Sequence, residues 1–111
     1  MDSNNIVFAK NTIQANTVIG VVDGTICSIG DIDPFSKKII YIDPDYVINM
    51  TKSNSICSFI DYADNEEDSN VHVVCNVECN AVKNCVFKTK RSINPCEKIL
   101  LSVYVEFSML S

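Results

Sequence analysis

Residues 55–107 read SICSFIDYADNEEDSNVHVVCNVECNAVKNCVFKTKRSINPCEKILLSVYVEF, and this stretch decides the fold class. From residue 71 to 79 the odd positions are Val71, Val73, Cys75, Val77 and Cys79, while the even ones include His72, Asn76 and Glu78. Successive side chains of a strand leave opposite faces, so this period of two predicts a half-buried strand. A polar turn over residues 80–83 leads into residues 84–89, which predicts a β-hairpin with a longer loop. Pro95 has no amide hydrogen to give a ladder and interrupts the chain. Beyond it, Ile99, Leu101, Val103, Val105 and Phe107 predict one continuous strand over residues 99–107 with a single apolar face.

Working outward, the first quarter of the chain reads as short strands divided by turns. Residues 6–9 (IVFA) and 17–22 (TVIGVV) are β-rich, with a polar break between them and a turn at Asp23-Gly24. Residues 28–38 carry Gly30 and Pro34 among acids and predict a loop. Residues 39–42 form another short β-rich run before Asp43-Pro44, and residues 46–53 predict a short helix. The sum is a mainly β fold with little helix. No internal repeat, low-complexity tract or linker divides it.

Composition narrows the function classes. The length of 111 residues suits a single domain, residues 1–111, with its own core. Apolar residues make up 47% and charged residues 21%, which is ordinary for a globular protein and argues against disorder. No apolar run approaches the roughly 18 residues that span a bilayer, and the start MDSNN lacks the basic and apolar parts of a signal peptide. We therefore expect no membrane association and an intracellular location, nuclear or cytoplasmic.

A net charge of −5, with the basic residues scattered in short groups, argues against direct nucleic-acid binding. The acidic group Asp61, Asp64, Glu66, Glu67 and Asp68 would suit a solvated loop or attract a cationic partner such as a lysine-rich tail. In such a compartment the six cysteines are expected as reduced, mostly packed thiols. The spacing of Cys75, Cys79 and Cys85 is a poor match to a four-ligand zinc site, so no metal is expected. His72 lies on the polar face opposite Cys75, so a cysteine hydrolase built on that pair is disfavoured.

Alternation and turns alone leave a sandwich, a small barrel and a SET-type arrangement open. The order of pieces is more specific. IVFAKNTIQANTVIGVVDG, then YIDPDYVINMTKSNSICSFIDYADNEEDSNV, then CVFKTKRSINPCEKILLSVY resemble, in that order and over roughly 100 residues, the opening, middle and closing parts of PR domains, the SET variant found in chromatin regulators. The resemblance implies a SET-domain-like, β-clip type arrangement of short strands. It also implies S-adenosylmethionine as cofactor and protein lysine as substrate, if the chain is active.

The departures from that pattern point away from activity. Asn4-Asn5-Ile6 stands where the resemblance places a GxG-like step that lets backbone approach the cofactor. Phe59-Ile60-Asp61-Tyr62-Ala63 stands at the FINHS-like motif, so a carboxylate and a phenol replace an Asn-His pair; a carboxylate accepts hydrogen bonds but does not donate as an amide does. Matching CEKILLSVY to the GEEL-containing closing strand puts Val103 at the position of the substrate-orienting tyrosine and Tyr104 one residue later. In an unbroken strand that step reverses the face.

The resulting expectation is a degenerate PR/SET-like domain that serves protein interaction, with a protein partner or a homodimer, and that needs no cofactor. The alternative is a compact lysine methyltransferase using a displaced Tyr104. The vestigial site comprises Tyr104 as the catalytic candidate and Asn4, Asn5, Phe59, Ile60, Asp61 and Tyr62 as cofactor-binding candidates.

Overall fold

The structure, a computed structural model, describes residues 7–32, 39–42, 45–51, 53, 56–79 and 81–109. Two sheets carry it. The larger runs β1 (Val18–Val21), β7 (Ala81–Thr89), β6 (Val71–Glu78), β8 (Leu100–Leu101) and β5 (Asp61–Tyr62), with β9 (Glu106–Met109) also paired to β6. The smaller runs β2 (Thr25–Ser28), β4 (Tyr46–Asn49) and β3 (Ile39–Tyr41), all antiparallel. Three short 3-10 turns, Ile29–Asp31, Ile56–Phe59 and Glu66–Asp68, are the only helical elements among the described residues.

The antiparallel β6–β7 hairpin is the backbone of the larger sheet. As the alternation predicts, Val71, Val73 and Cys75 enter the core, facing Phe87 and Cys85 of β7, all at 4% exposure or less. The pattern then fails near the hairpin end, where the register shifts between Asn76 and Val77 and Cys79 is exposed. The longer loop expected over residues 80–83 is instead a tight turn, because Glu78 and Ala81 already pair. Cys79 takes a left-handed φ of 55°, the backbone state that short hairpin connections use.

Residues 46–49 form a strand rather than the predicted helix. Tyr46, Val47 and Ile48 are β-branched or aromatic, and β2 and β3 pair with them on either side, so propensity and tertiary pairing agree against helix. Strand β2 was not anticipated; its partner β4 supplies what its weak local pattern lacks. Where β2 begins, a Cβ on Gly24 would lie 2.6 Å from the Asn49 carbonyl oxygen, so this turn needs glycine to bring the two strands together.

Of the strand expected at residues 6–9, Ile6 lies outside the described residues, and residues 7–9 make only a bridge. Phe8 makes a single bridge with Lys98, Ile13 another with Ile93, and Ile99 N–H donates to the Val7 carbonyl at 2.8 Å. Residues 7–13 thus lie along the segment that leads into β8. One hydrophobic cluster holds Ile40, Ile48 and Met50 of the smaller sheet region together with Val71, Val73, Phe87, Ile93 and Leu101 of the larger. At about 25 cal/mol per Å² of apolar surface, this shared burial is the main term holding the sheets together. Asn4, Asn5 and Asp43-Pro44 lie outside the described residues.

Candidate functional site

The closing segment does not run as the continuous strand predicted for residues 99–107. It splits into β8 and β9, both parallel to β6; Ser102 N–H still donates to the Val71 carbonyl of β6 at 2.8 Å, and residues 103–105 leave the ladder before β9 begins. Ser102 causes the break. Its hydroxyl is buried, accepts the Tyr104 N–H at 3.0 Å and donates to the Glu66 carboxylate at 2.7 Å. A side chain that bonds an amide two residues on offers the backbone an alternative to the ladder. Leu101 remains fully buried, whereas Val103 and Tyr104 are 56% and 68% exposed. The expected division, Val103 with Leu101 and Tyr104 opposite, therefore does not hold: with the strand broken, both side chains face outward. Val105 returns to pack against the core before β9 begins.

The FINHS-like segment lies beside this junction. Asp61 pairs with Leu100 and Tyr62 with Leu101 in parallel register, and Ala63 N–H donates to the Leu101 carbonyl at 2.9 Å. The structure thus brings Asp61 and Tyr62 next to the strand that ends two residues before Val103. Ile60 is 1% exposed and belongs to the core, whereas Phe59, at the end of a 3-10 turn, and Asp61 face solvent. The Tyr62 hydroxyl donates to the Ile39 carbonyl at 3.2 Å and ties β5 to the smaller sheet. Burial pushes its pKa up, which keeps it a donor at neutral pH.

Two ion-pair networks brace the junction, and sequence reasoning singled out neither. In the first, Glu66 accepts from Ser102 and pairs with Lys90 at 2.5 Å, while Lys90 also reaches Ser69 at 2.7 Å. Burial alone would raise the Glu66 pKa, but the bonds from Lys90 and Ser102 outweigh it and hold the carboxyl below its ordinary value. Glu66 is therefore a brace inside the acidic group, although it is exposed like Asp64, Glu67 and Asp68.

In the second network, Asn70 is 1% exposed and donates to the Lys98 carbonyl at 2.9 Å and to Glu97 at 3.3 Å, while its side-chain oxygen accepts the Leu100 N–H at 2.9 Å. Arg91 bonds Glu97 at 2.7 Å and is the main reason that the Glu97 carboxyl titrates low. Cys96, inside this turn, takes a left-handed φ of 67° and stands at the glycine of the GEEL match. The one sequence signal for these residues was the EED run and the Pro95-Glu97 step; apart from Arg91–Glu97, the partners lie 21 to 36 residues away in the chain.

His72 sits opposite Lys88 across the hairpin and 3.8 Å from Glu106, on the face away from buried Cys75. Burial lowers its pKa, against the pull of Glu106. The pair expected not to act together is indeed kept apart by the sheet.

No protein-family model and no curated protein matches this chain. Solved structures do. The methyltransferase domain of human PR domain-containing protein 2 superposes with a TM-score of 0.58 at 17% identity, over 88% of this chain and 65% of that one. The SET domain of the RIZ1 tumor suppressor (PRDM2) superposes with a TM-score of 0.54 at 18% identity, over 86% of this chain and 58% of that one. The chain thus spans 58–65% of the length of these structures and has the PR/SET-like, mostly β fold.

Proposed function

We propose that this chain is a PR/SET-type protein-interaction domain that does not transfer methyl groups. The observation that carries the reading is the exposed pair Val103 and Tyr104 at the broken closing strand. Methyl transfer to an amine depends on holding nucleophile and donor in line at close range, and alignment supplies much of the rate. A tyrosine ring that is 68% exposed lacks the packing which would hold its hydroxyl in place. The side chains at the positions implied for S-adenosylmethionine are poorly matched to it as well. Ile60 is committed to the core, the Tyr62 hydroxyl to Ile39, and Asp61 offers only acceptors.

The same segment has the makings of a contact surface. Val103, Tyr104, Phe107 and Met109 are all exposed along residues 103–109, and β9 pairs only with β6 among the described strands, which leaves its other edge for a strand from another protein. A partner strand, including one from a second copy, would gain main-chain hydrogen bonds there and cover the aromatic side chains.

Calorimetric titration of the purified protein with S-adenosylmethionine tests the reading directly. No binding heat, together with no methyl transfer to a lysine peptide, is expected. Saturable binding in the micromolar range that disappears in Asp61→Ala would replace this reading with the methyltransferase one.

A further inference from the structure

We propose that Cys85 and Cys75 form a redox-active thiol pair that opens on a cavity between the two sheets and closes to a cross-strand disulfide when a small disulfide enters. The cavity has a volume of about 200 Å³ and is walled by Val22, Ile26, Ile48, Val82, Lys83 and Cys85, among others. Ile48 comes from the smaller sheet and Cys85 from β7. Ile26 and Lys83 are exposed, so the cavity meets solvent. Of the two lining residues with nucleophilic side chains, Lys83 is engaged by Glu78 at 2.8 Å, and Cys85, 4% exposed, is the thiol residue on the cavity wall.

The register places the second thiol. Cys75 and Cys85 are directly opposite in the β6–β7 ladder. The Cys85 carbonyl accepts the Val22 N–H at 2.9 Å, on the side of β7 that faces β1. In an antiparallel strand one residue's N–H and C=O point the same way, so Cys85 turns its backbone groups away from β6. The pair is therefore of the non-hydrogen-bonded kind, with Cα atoms about 4.5 Å apart and side chains close. Disulfides take Cα separations of roughly 4.4–6.8 Å, so the bond forms without unpairing the strands but near the short limit, where it is readily reduced again.

The two sulfurs are hydrogen-bonded to each other, and that bond lowers the Cys85 pKa and raises that of Cys75. Cys85 is the member of the pair that lines the cavity, so an incoming disulfide meets it first. The Cys85 thiolate attacks one sulfur of R–S–S–R, breaking its S–S bond and releasing RS⁻, which takes up a proton. Cys75 next attacks the Cys85 sulfur of the mixed disulfide, loses its own proton, and expels the second RS⁻. Two protein thiols become one disulfide while R–S–S–R is reduced to two RSH.

The test uses the full chain with Cys27, Cys79 and Cys96 replaced by serine, treated at neutral pH with hydroxyethyl disulfide. Intact mass and peptide mapping should show the loss of two hydrogens and a 75–85 cross-link that dithiothreitol reverses. In the same background, Cys75→Ser should stop at a mixed disulfide on Cys85, whereas Cys85→Ser should leave Cys75 at least tenfold less reactive. Circular dichroism establishes that each variant is folded. Should Cys85→Ala and Cys85→Ser both unfold, the cross-link in the background protein, formed in buffer and abolished in urea, still decides. An unmodified 75–85 pair in the folded protein, or equal reactivity of Cys75 with and without Cys85, overturns the proposal.

Discussion

The β6–β7 hairpin and the closing segment carry the same alternation of apolar residues, yet the hairpin pairs along its length with one register shift while the closing segment splits in two. In the hairpin Val73 and Cys75 meet the apolar Phe87 and Cys85 on β7, and Val71 lies opposite Thr89, whose buried hydroxyl bonds to Gln14 rather than breaking the ladder. In the closing segment the even position holds Ser102, whose hydroxyl finds both a backbone amide and the Glu66 carboxylate. One polar side chain with a distant partner thus outweighs a pattern of five alternating apolar residues. The break turns Val103 and Tyr104 outward, and the proposed interaction role rests on that exposure.

The contrast can be broken from either side. Phe87 is fully buried at the centre of the hairpin, and Phe87→Ala should cost about 3–5 kcal/mol in urea denaturation. Ser102→Ala removes the hinge of the closing segment. It should cost about 1–2 kcal/mol, discounted for the partly exposed Glu66, and should speed amide exchange at Tyr104 while leaving that of β6 and β7 unchanged. Loss of protection across the hairpin as well would mean that the two regions are one cooperative unit.

Acid should act on the junction first. Glu66 and Glu97 both ionise more readily in the fold than in the unfolded chain, so their stabilisation is complete above an unfolded glutamate pKa of about 4.3 and is lost as pH falls through their lower folded values. Glu66→Gln should flatten that acid limb of the stability profile, measured by thermal melts across the range. The smallest effect is expected at Cys96, where a non-glycine residue holds a left-handed backbone. Cys96→Gly should be neutral to stabilising, by up to about 1 kcal/mol, since relief of that strain exceeds the added freedom of the unfolded chain.

The hairpin was legible because burial alternates with the period of the backbone itself. Residues 39–42 and 17–22 were legible for the same reason, being short β-rich runs between breakers. The helix expected from residue 46 gives way to a strand at residues 46–49 because a short apolar run has no clear period of its own, and the strands on both sides decide it. Of the site, the neighbourhood of Asp61, Tyr62 and the closing strand was legible from the order of motifs. Glu66, Asn70 and Ser102 were not, since a polar residue in a loop or strand looks solvated until its partner is known.

By itself, the sequence determined the β class, the hairpin and the substitution of valine, aspartate and tyrosine at positions where the resemblance implies chemistry. Only the tertiary structure decided that β8 and β9 both lie parallel to β6, that Ser102 parts them, and that Cys85 meets both Cys75 and a cavity. The physical reason is range. Alternation is written between neighbours, whereas the Ser102–Glu66 bond spans 36 residues and the Cys85 environment is assembled from both sheets.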